Sequence, residues 1–371
     1  MSDTEITGPP AEARASVALP GARSELRTLP LREAGPGEGW LRVTASGICG
    51  TDVSLFAKGL SEPTVLGHHV VGRIAAVAPE QGKRTWPGRT GDRVVIEEYL
   101  PCGTCPSCAS GAYRLCPQTD LWGGGRRVGT LPASEAAGLH GGNAEYLLLQ
   151  PNTVVHPLPP ELSEDLAAWV LPYANALDWT LRAGAVRKGE TVVILGPGYH
   201  GLAVAAAAHY AGADTVVAGL RRDRARLEIA ESLGATTVAA DTGAELAEGV
   251  RRVLGARAAD CVVDAVGAAP HVIGVAVGLL GQGGRLVLTT PKQPAAVPID
   301  TRAMTRGNLR ISAVRGRRPE YVRQAIASLA DGTSGLQELP SVEVSLEETG
   351  DMLARLAAGT GPESPHVVVR P

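Results

Sequence analysis

A short apolar run that breaks into glycines and restarts as a helix constrains everything around it, and residues 191–212 read that way. Thr191-Val192-Val193-Ile194-Leu195 has the β-branched content of a buried strand. Gly196-Pro197-Gly198-Tyr199-His200-Gly201 is a Gly-x-Gly-x-x-Gly turn, and Leu202 to Ala211 is apolar over helical length. Such a turn aims several backbone N–H groups and a helix N-terminus at one point, which suits a pyrophosphate. Gly196, Gly198, Tyr199, His200 and Gly201 are therefore candidate cofactor-binding residues, with His200 either touching the phosphates or filling the loop. The pattern continues to Val314 as β-branched runs alternating with helical ones, the signature of an α/β doubly wound parallel sheet. Strands are expected near Thr191–Leu195, Thr215–Ala218, Thr236–Val238, Cys261–Asp264, Arg285–Thr289 and Arg310–Val314, and helices at His200–Ala211, Asp223–Leu233, Ala244–Leu254 and His271–Leu280. Cys261, inside its strand, reads as packing.

The chain ahead of this unit has a different grammar. From Arg14 to Val155, short strand patterns broken by Gly and Pro (Ser16–Leu19, Trp40–Ala45, Val70–Ala78, Arg93–Glu97, Ala144–Leu149) indicate an antiparallel β-rich domain, a small barrel. Residues 1–13 are expected to be a disordered tail, on the strength of Gly8-Pro9-Pro10. A boundary falls after His156-Pro157-Leu158-Pro159-Pro160, followed by a helix capped by Ser163. The expected domains are thus 14–170 (β-rich), 171–314 (dinucleotide-binding) and 315–371, a segment with a helix at Tyr321–Leu329 and a terminal strand His366–Val369, too short to stand alone and expected to return to the first domain.

Composition narrows the partners. With 371 residues there is enough chain for two cores, and a net charge of −3 gives no electrostatic argument for nucleic acid or membrane binding. The longest apolar runs fall short of a spanning helix and the N-terminus lacks a signal pattern, so the chain is expected in the cytoplasm with a small-molecule substrate. In that reducing compartment the cysteine pattern points to metal. Cys102, Cys105, Cys108 and Cys116 lie within fifteen residues of one another, separated by turn formers, and four thiolates close a tetrahedral zinc site that has no open position and is therefore structural. A second constellation, Gly47-Ile48-Cys49-Gly50-Thr51-Asp52 with Gly67-His68-His69, offers one thiolate and one or two imidazoles, which can hold zinc and leave a position for an alcohol oxygen.

These motifs, in this order together with Gly91-Asp92-Arg93-Val94 and Gly141-Gly142-Asn143-Ala144-Glu145-Tyr146, resemble the zinc-dependent medium-chain dehydrogenase/reductase family, which includes alcohol, sorbitol and threonine dehydrogenases. The resemblance covers residues 14–371. It implies a GroES-like catalytic domain with the structural zinc lobe at 102–116, a Rossmann domain, an active site in the cleft between them, and a homodimer or homotetramer. It also implies residue roles. Cys49 and His68 match the first two ligands of the catalytic zinc, Thr51 the hydroxyl that passes the alcohol proton, and Asp52 the carboxylate that orients the ligand histidine.

Three departures stand out. His69 replaces the family's glutamate, the family's other ligand position falls at or beside Leu171-Pro172, and Ser54 replaces a proton-relaying histidine. Either His69 completes a Cys-His-His site, which carries less negative charge and leaves the zinc a stronger Lewis acid, or the metal is weakly held or absent.

After the second strand of the nucleotide unit, no acid stands where ribose hydroxyls are normally held. Instead Arg221-Arg222 follow Gly219-Leu220, and two guanidiniums suit a 2′-phosphate, so NADP is expected over NAD. The alternative is that both are solvated and Asp223 reaches the ribose. The function expected is a zinc-dependent oxidoreductase moving hydride between NADP(H) and a secondary alcohol or ketone, of polyol, cyclitol or amino-alcohol type as readily as a simple one. Two alternatives are an NADPH reductase of an activated C=C or C=N bond without catalytic zinc, and a non-catalytic nucleotide-binding redox sensor or structural protein. Trp122 and Tyr99 are equally readable as pocket lining or packing.

Overall fold

A computed structural model describes residues 8–78, 84–267, 269–292 and 296–371. The chain divides into two units, one comprising the chain up to Leu171 with Pro340–Pro362 and His366–Pro371, the other comprising Pro172–Leu339 and Glu363–Pro365.

In the first unit a seven-stranded sheet runs in the order Val342–Ser345, Val367–Arg370, Gly39–Gly47, His69–Val77, Arg93–Ile96, Val155–Pro157, with Tyr146–Leu149 also paired to Gly39–Gly47. A second sheet of three strands joins Arg23–Pro30, Glu12–Leu19 and Thr64–Val65. Gly39–Gly47 is the keystone because both of its faces are covered. Leu41 and Val43 pack with Val70, Ile74, Val94 and Ile96, while Trp40 packs with Val17, Val65 and Leu148. Its far end is braced from the other end of the chain, where Val368 pairs with Gly47, Val369 with Ser46, and Ile48 N–H donates to the Val367 carbonyl at 2.9 Å. The residues that follow, Cys49 onward, inherit that rigidity.

In the second unit six strands are all parallel, ordered Thr236–Ala239, Asp214–Gly219, Thr191–Leu195, Ala259–Asp264, Leu280–Leu288, Arg310–Ala313. The order reverses beside the first strand of the unit, which is where open α/β sheets form their ligand crevice. Helices form for local reasons as well. Thr242 Oγ1 accepts the Glu245 N–H at 3.2 Å to cap Gly243–Leu254, whose Leu246, Val250 and Leu254 bury one face.

Residues 1–7 of the expected tail lie outside the described residues, but Glu12 and Ala13 already pair with Pro30 and Leu29, so the first strand starts ahead of position 14. Arg23–Pro30, absent from the expectation, forms because every residue of Glu12–Leu19 finds a partner in it, although its own side chains alternate only between exposed and half-buried. The return to the first unit begins at Pro340, not 315. Pro319–Ala330 stays with the second unit, burying Val322, Ala325 and Leu329. Among the described residues no helix is long and apolar enough to cross a membrane.

Candidate functional site

The sheet delivers Cys49 to the N-cap of the short helix Gly50–Ser54, in extended backbone at φ −106° and ψ 157°. Asp52, fully buried in the first turn, uses both carboxylate oxygens: Oδ2 accepts the Cys49 N–H at 2.9 Å, and Oδ1 accepts the Gly67 N–H at 3.1 Å and lies 3.0 Å from His68 Nδ1. One side chain therefore ties the thiol-bearing turn to the imidazole-bearing loop. Because the carboxylate occupies Nδ1, the donor left to His68 is Nε2. Burial, the largest influence on His68, favours the neutral ring, but the charge and hydrogen bond of Asp52, aided by Cys49, carry the ring well above its ordinary value. A proton and a cation compete for that same nitrogen.

The loop carrying His68 explains two glycine motifs. Gly67 sits at φ +96°, and a Cβ there would fall 2.5 Å from Asn143 Oδ1 and 2.6 Å from Ser46 Oγ. Gly141 is equally tight, with 2.0 Å from its notional Cβ to the Val65 carbonyl. Gly142 and Asn143 N–H groups donate to the Gly67 and Leu66 carbonyls at 2.8 and 2.9 Å, so this distant segment forms the backing of the histidine loop.

His69 is buried, its ring centroid 4.5 Å from that of His68 in an edge-on contact. Cys49, His68 and His69 each offer a ligand atom, and the three atoms lie within 4.8 Å of one another. One thiolate and two imidazoles are a zinc donor set that leaves a coordination position open. Leu171, at the family's other ligand position, is a buried aliphatic residue in the helix Val170–Leu177. Thr51 is half-buried in the same helical turn as Asp52.

Cys102, Cys105, Cys108 and Cys116 converge with sulfur separations of 3.5 Å (Cys105–Cys108), 3.6 Å (Cys116–Cys102) and 4.0 Å (Cys102–Cys108). Four sulfurs about 2.3 Å from a tetrahedral zinc stand roughly 3.8 Å apart, so the cage has the size the ion needs. N–H groups of Cys105 and Cys102 point at the Cys102 and Cys116 sulfurs at 3.3 and 3.4 Å. Hydrogen bonds from the backbone and side chain of Thr104 lower the Cys102 thiol to about 6, and burial raises that of Cys108 to about 12.

In the second unit the turn after Thr191–Leu195 has Gly196 at φ +97°, and a Cβ on Gly201 would lie 1.8 Å from the Gly196 carbonyl, whereas Gly198, the N-cap of Tyr199–Tyr210, faces open space. Two glycines fold the turn and the middle one leaves the backbone bare toward a ligand. That fits a dinucleotide diphosphate. Tyr199 is buried and His200 half-buried, in ring contact at 5.6 Å.

At the end of Asp214–Gly219, Arg221 is held by Asp241 at 3.1 Å and Glu245 at 3.3 Å, whereas Asp223 turns back to accept the Leu220 N–H at 3.1 Å. Arg222 is exposed. Sequence reasoning missed the buried ion pair of Lys292 with Asp264, 2.7 Å apart at the carboxyl end of Ala259–Asp264. An acid closing the apolar run Cys261-Val262-Val263 was the available signal.

Comparison with known proteins places these sites in context. The model of the alcohol dehydrogenase GroES-like domain matches residues 35–160, and that of the zinc-binding dehydrogenase matches residues 201–331. A Mycobacterium tuberculosis protein named "Probable alcohol dehydrogenase" is 33% identical, with 94% of this chain and 95% of that one aligned. An L-threonine 3-dehydrogenase of Streptomyces coelicolor is 30% identical over 91% of this chain and 93% of its own. A Sinorhizobium meliloti protein solved with NADP superposes with a TM-score of 0.80 at 25% identity, covering 98% of this chain and all of that one, 100%. The first of these domain matches spans both cysteine- and histidine-bearing motifs, and the second begins at Gly201, the last glycine of the turn.

Proposed function

Because the chain belongs to the zinc-dependent medium-chain dehydrogenase/reductase family and is an alcohol or polyol dehydrogenase-like oxidoreductase, we propose that it moves a hydride between NADP(H) and a secondary alcohol or ketone at Cys49, His68 and His69. The observation that carries this reading is Asp52, whose carboxylate grips the backbone of one donor and the ring of the next.

Zinc bound by Cys49 Sγ, His68 Nε2 and His69 would act as a Lewis acid toward the alcohol oxygen and so make its proton easier to lose near neutral pH. Asp52 keeps His68 in the tautomer that presents Nε2, and by holding the Cys49 and Gly67 N–H groups it keeps thiol and ring converged. Thr51 Oγ1 takes the proton the alcohol gives up and passes it on, with Ser54 in place of a relaying histidine. The glycine turn binds the diphosphate through backbone N–H groups, and Cys102, Cys105, Cys108 and Cys116 would hold a second zinc, which would stiffen a lobe with little apolar core.

NADP is preferred because no acid closes the strand Asp214–Gly219. Arg221 is tethered by two carboxylates, so the grip on a 2′-phosphate falls first on exposed Arg222. Arg222→Ser should raise the KM for NADP by about tenfold and leave that for NAD nearly unchanged, whereas equal effects on both would overturn the preference. The overall reading is tested by steady-state oxidation of a panel of secondary alcohols, polyols and amino alcohols with each dinucleotide, in wild type and Cys49→Ala. Turnover abolished in the variant supports it, and turnover preserved refutes it. A second reading, NADPH reduction of an activated double bond without a catalytic metal, draws on the aliphatic Leu171 at a ligand position. Turnover of enones, but of no alcohol, by Cys49→Ala protein would favour it.

A further inference from the structure

Behind the glycine turn lies a chain of polar side chains drawn from three separate segments. Arg317 is almost wholly buried, at 1% exposure, and its Nη1 donates to Asn175 Oδ1 at 3.3 Å. Asn175, itself buried in the helix Val170–Leu177, places Nδ2 at 3.4 Å from His200 Nε2. Trp179 reinforces both ends. Its indole N–H donates to the Gly316 carbonyl at 2.9 Å, fixing the backbone just before Arg317, and its ring lies 5.2 Å from that of His200.

The direction of this chain follows from valence alone. A guanidinium has only donors, so the Asn175 atom facing it is the carbonyl oxygen. The amide NH2 must then face His200, and an NH2 group has no lone pair to offer, so Nε2 accepts and the ring proton resides on Nδ1. Arg317 thus sets, through one amide, which nitrogen of a half-buried histidine at the start of Tyr199–Tyr210 is the donor.

We propose that Arg317 and Asn175 are positioning residues that hold His200 as the Nδ1–H tautomer, so that it donates a hydrogen bond to an oxygen of the dinucleotide seated on the glycine turn. The inference rests on the dinucleotide-binding reading above. It turns His200 from a loop filler into a donor whose polarity is set by two buried neighbours, Asn175 and Arg317. Asn175→Asp is the discriminating substitution. A carboxylate accepts from Arg317 with one oxygen and can only accept from His200 with the other, which forces the proton onto Nε2.

The test is long-range proton–nitrogen correlation NMR of the imidazole rings in the zinc-loaded protein, with His200→Asn identifying the signal, alongside dinucleotide titration followed by Trp179 fluorescence. The wild type should show His200 protonated at Nδ1. Asn175→Asp should move the proton to Nε2 and weaken NADP binding by about tenfold, the equivalent of one hydrogen bond to a ligand. Arg317→Met should give mixed tautomers and intermediate affinity. A wild-type His200 carrying its proton on Nε2, or an Asn175→Asp protein with unchanged tautomer and unchanged affinity, overturns the proposal. The wild-type spectrum decides the tautomer even if a variant fails to fold. Nδ1–H in a wild type that binds neither NADP nor NAD would sink the dinucleotide reading, and with it the donated bond, while leaving the tautomer assignment standing.

Discussion

At the scale of single residues, two side chains make the sharpest claims. Asp52 is buried with three partners, so Asp52→Asn, which keeps the volume but removes the charge and one acceptor, should lower zinc retention at the Cys49 site by roughly 10–100-fold in a chelator competition. Retention equal to wild type would mean the carboxylate merely packs. His366 is the other. Burial alone drives its pKa down to about 3, with its ring stacked 4.2 Å from Trp169 and Nδ1 held 2.6 Å from Ser341 Oγ. The unfolded ring titrates near 6.5, so it takes up protons that the folded one refuses. The stability contributed is complete above about pH 6.5 and is lost as pH falls toward 3, at up to about 1.4 kcal/mol per unit. The urea-unfolding gap between wild type and His366→Gln should therefore shrink by about 2 kcal/mol between pH 6.5 and 5, and a gap independent of pH would contradict the buried-neutral assignment.

What was legible at this scale follows from sequence distance. Cys49, Asp52, His68 and the four clustered cysteines sit in short motifs whose spacing carries their chemistry. Arg317, Asn175 and His200 meet only through the fold, and nothing local to any of them announces the others.

Among the elements, the central parallel strands Thr191–Leu195, Asp214–Gly219 and Ala259–Asp264 were readable because they are buried along nearly their whole length, which leaves runs rich in β-branched residues. Arg23–Pro30 was not, since its residues are mostly solvated and it exists by virtue of its partner strand. Likewise Leu346–Ala357 carries a capping box, with Glu348 N–H donating to Ser345 Oγ at 3.3 Å and Ser345 N–H to Glu348 Oε2 at 2.9 Å, that went unread beside the expected terminal strand. The cysteine lobe has few apolar contacts of its own, Cys116 excepted. It is tied to the sheet through Tyr113, whose hydroxyl donates to Glu97 Oε1 at 2.5 Å while His156 Nε2 lies 2.7 Å from the same oxygen. Stripping the metal should open this lobe before the sheets melt. Limited proteolysis after treatment with a strong chelator should cut first between Gly103 and Leu115. Initial cleavage elsewhere, with the lobe intact, would show that the four sulfurs do not depend on an ion.

For the whole molecule, the alternation of a β-rich front portion and a parallel-sheet back portion was plain from the change in pattern near residue 160, while the place where the chain crosses back was not. Pro319–Ala330 has no signal assigning it to one unit, and only its packing keeps it in the second. The return has a consequence: the strand Val367–Arg370 closes the edge of Gly39–Gly47 directly before Cys49. Deleting residues 363–371 should therefore cost the Cys49 metal site along with solubility, by exposing a sheet edge, even though the last residues hold no ligand.

The proposed chemistry requires a metal ion at Cys49, His68 and His69, distinct from one in the four-cysteine cage. The most direct measurement is zinc content per chain by elemental analysis of purified wild type and Cys49→Ala protein. Two zincs in the wild type and one in the variant, with alcohol oxidation lost alongside the second ion, is the predicted result. One zinc in both proteins, with equal turnover, would contradict it.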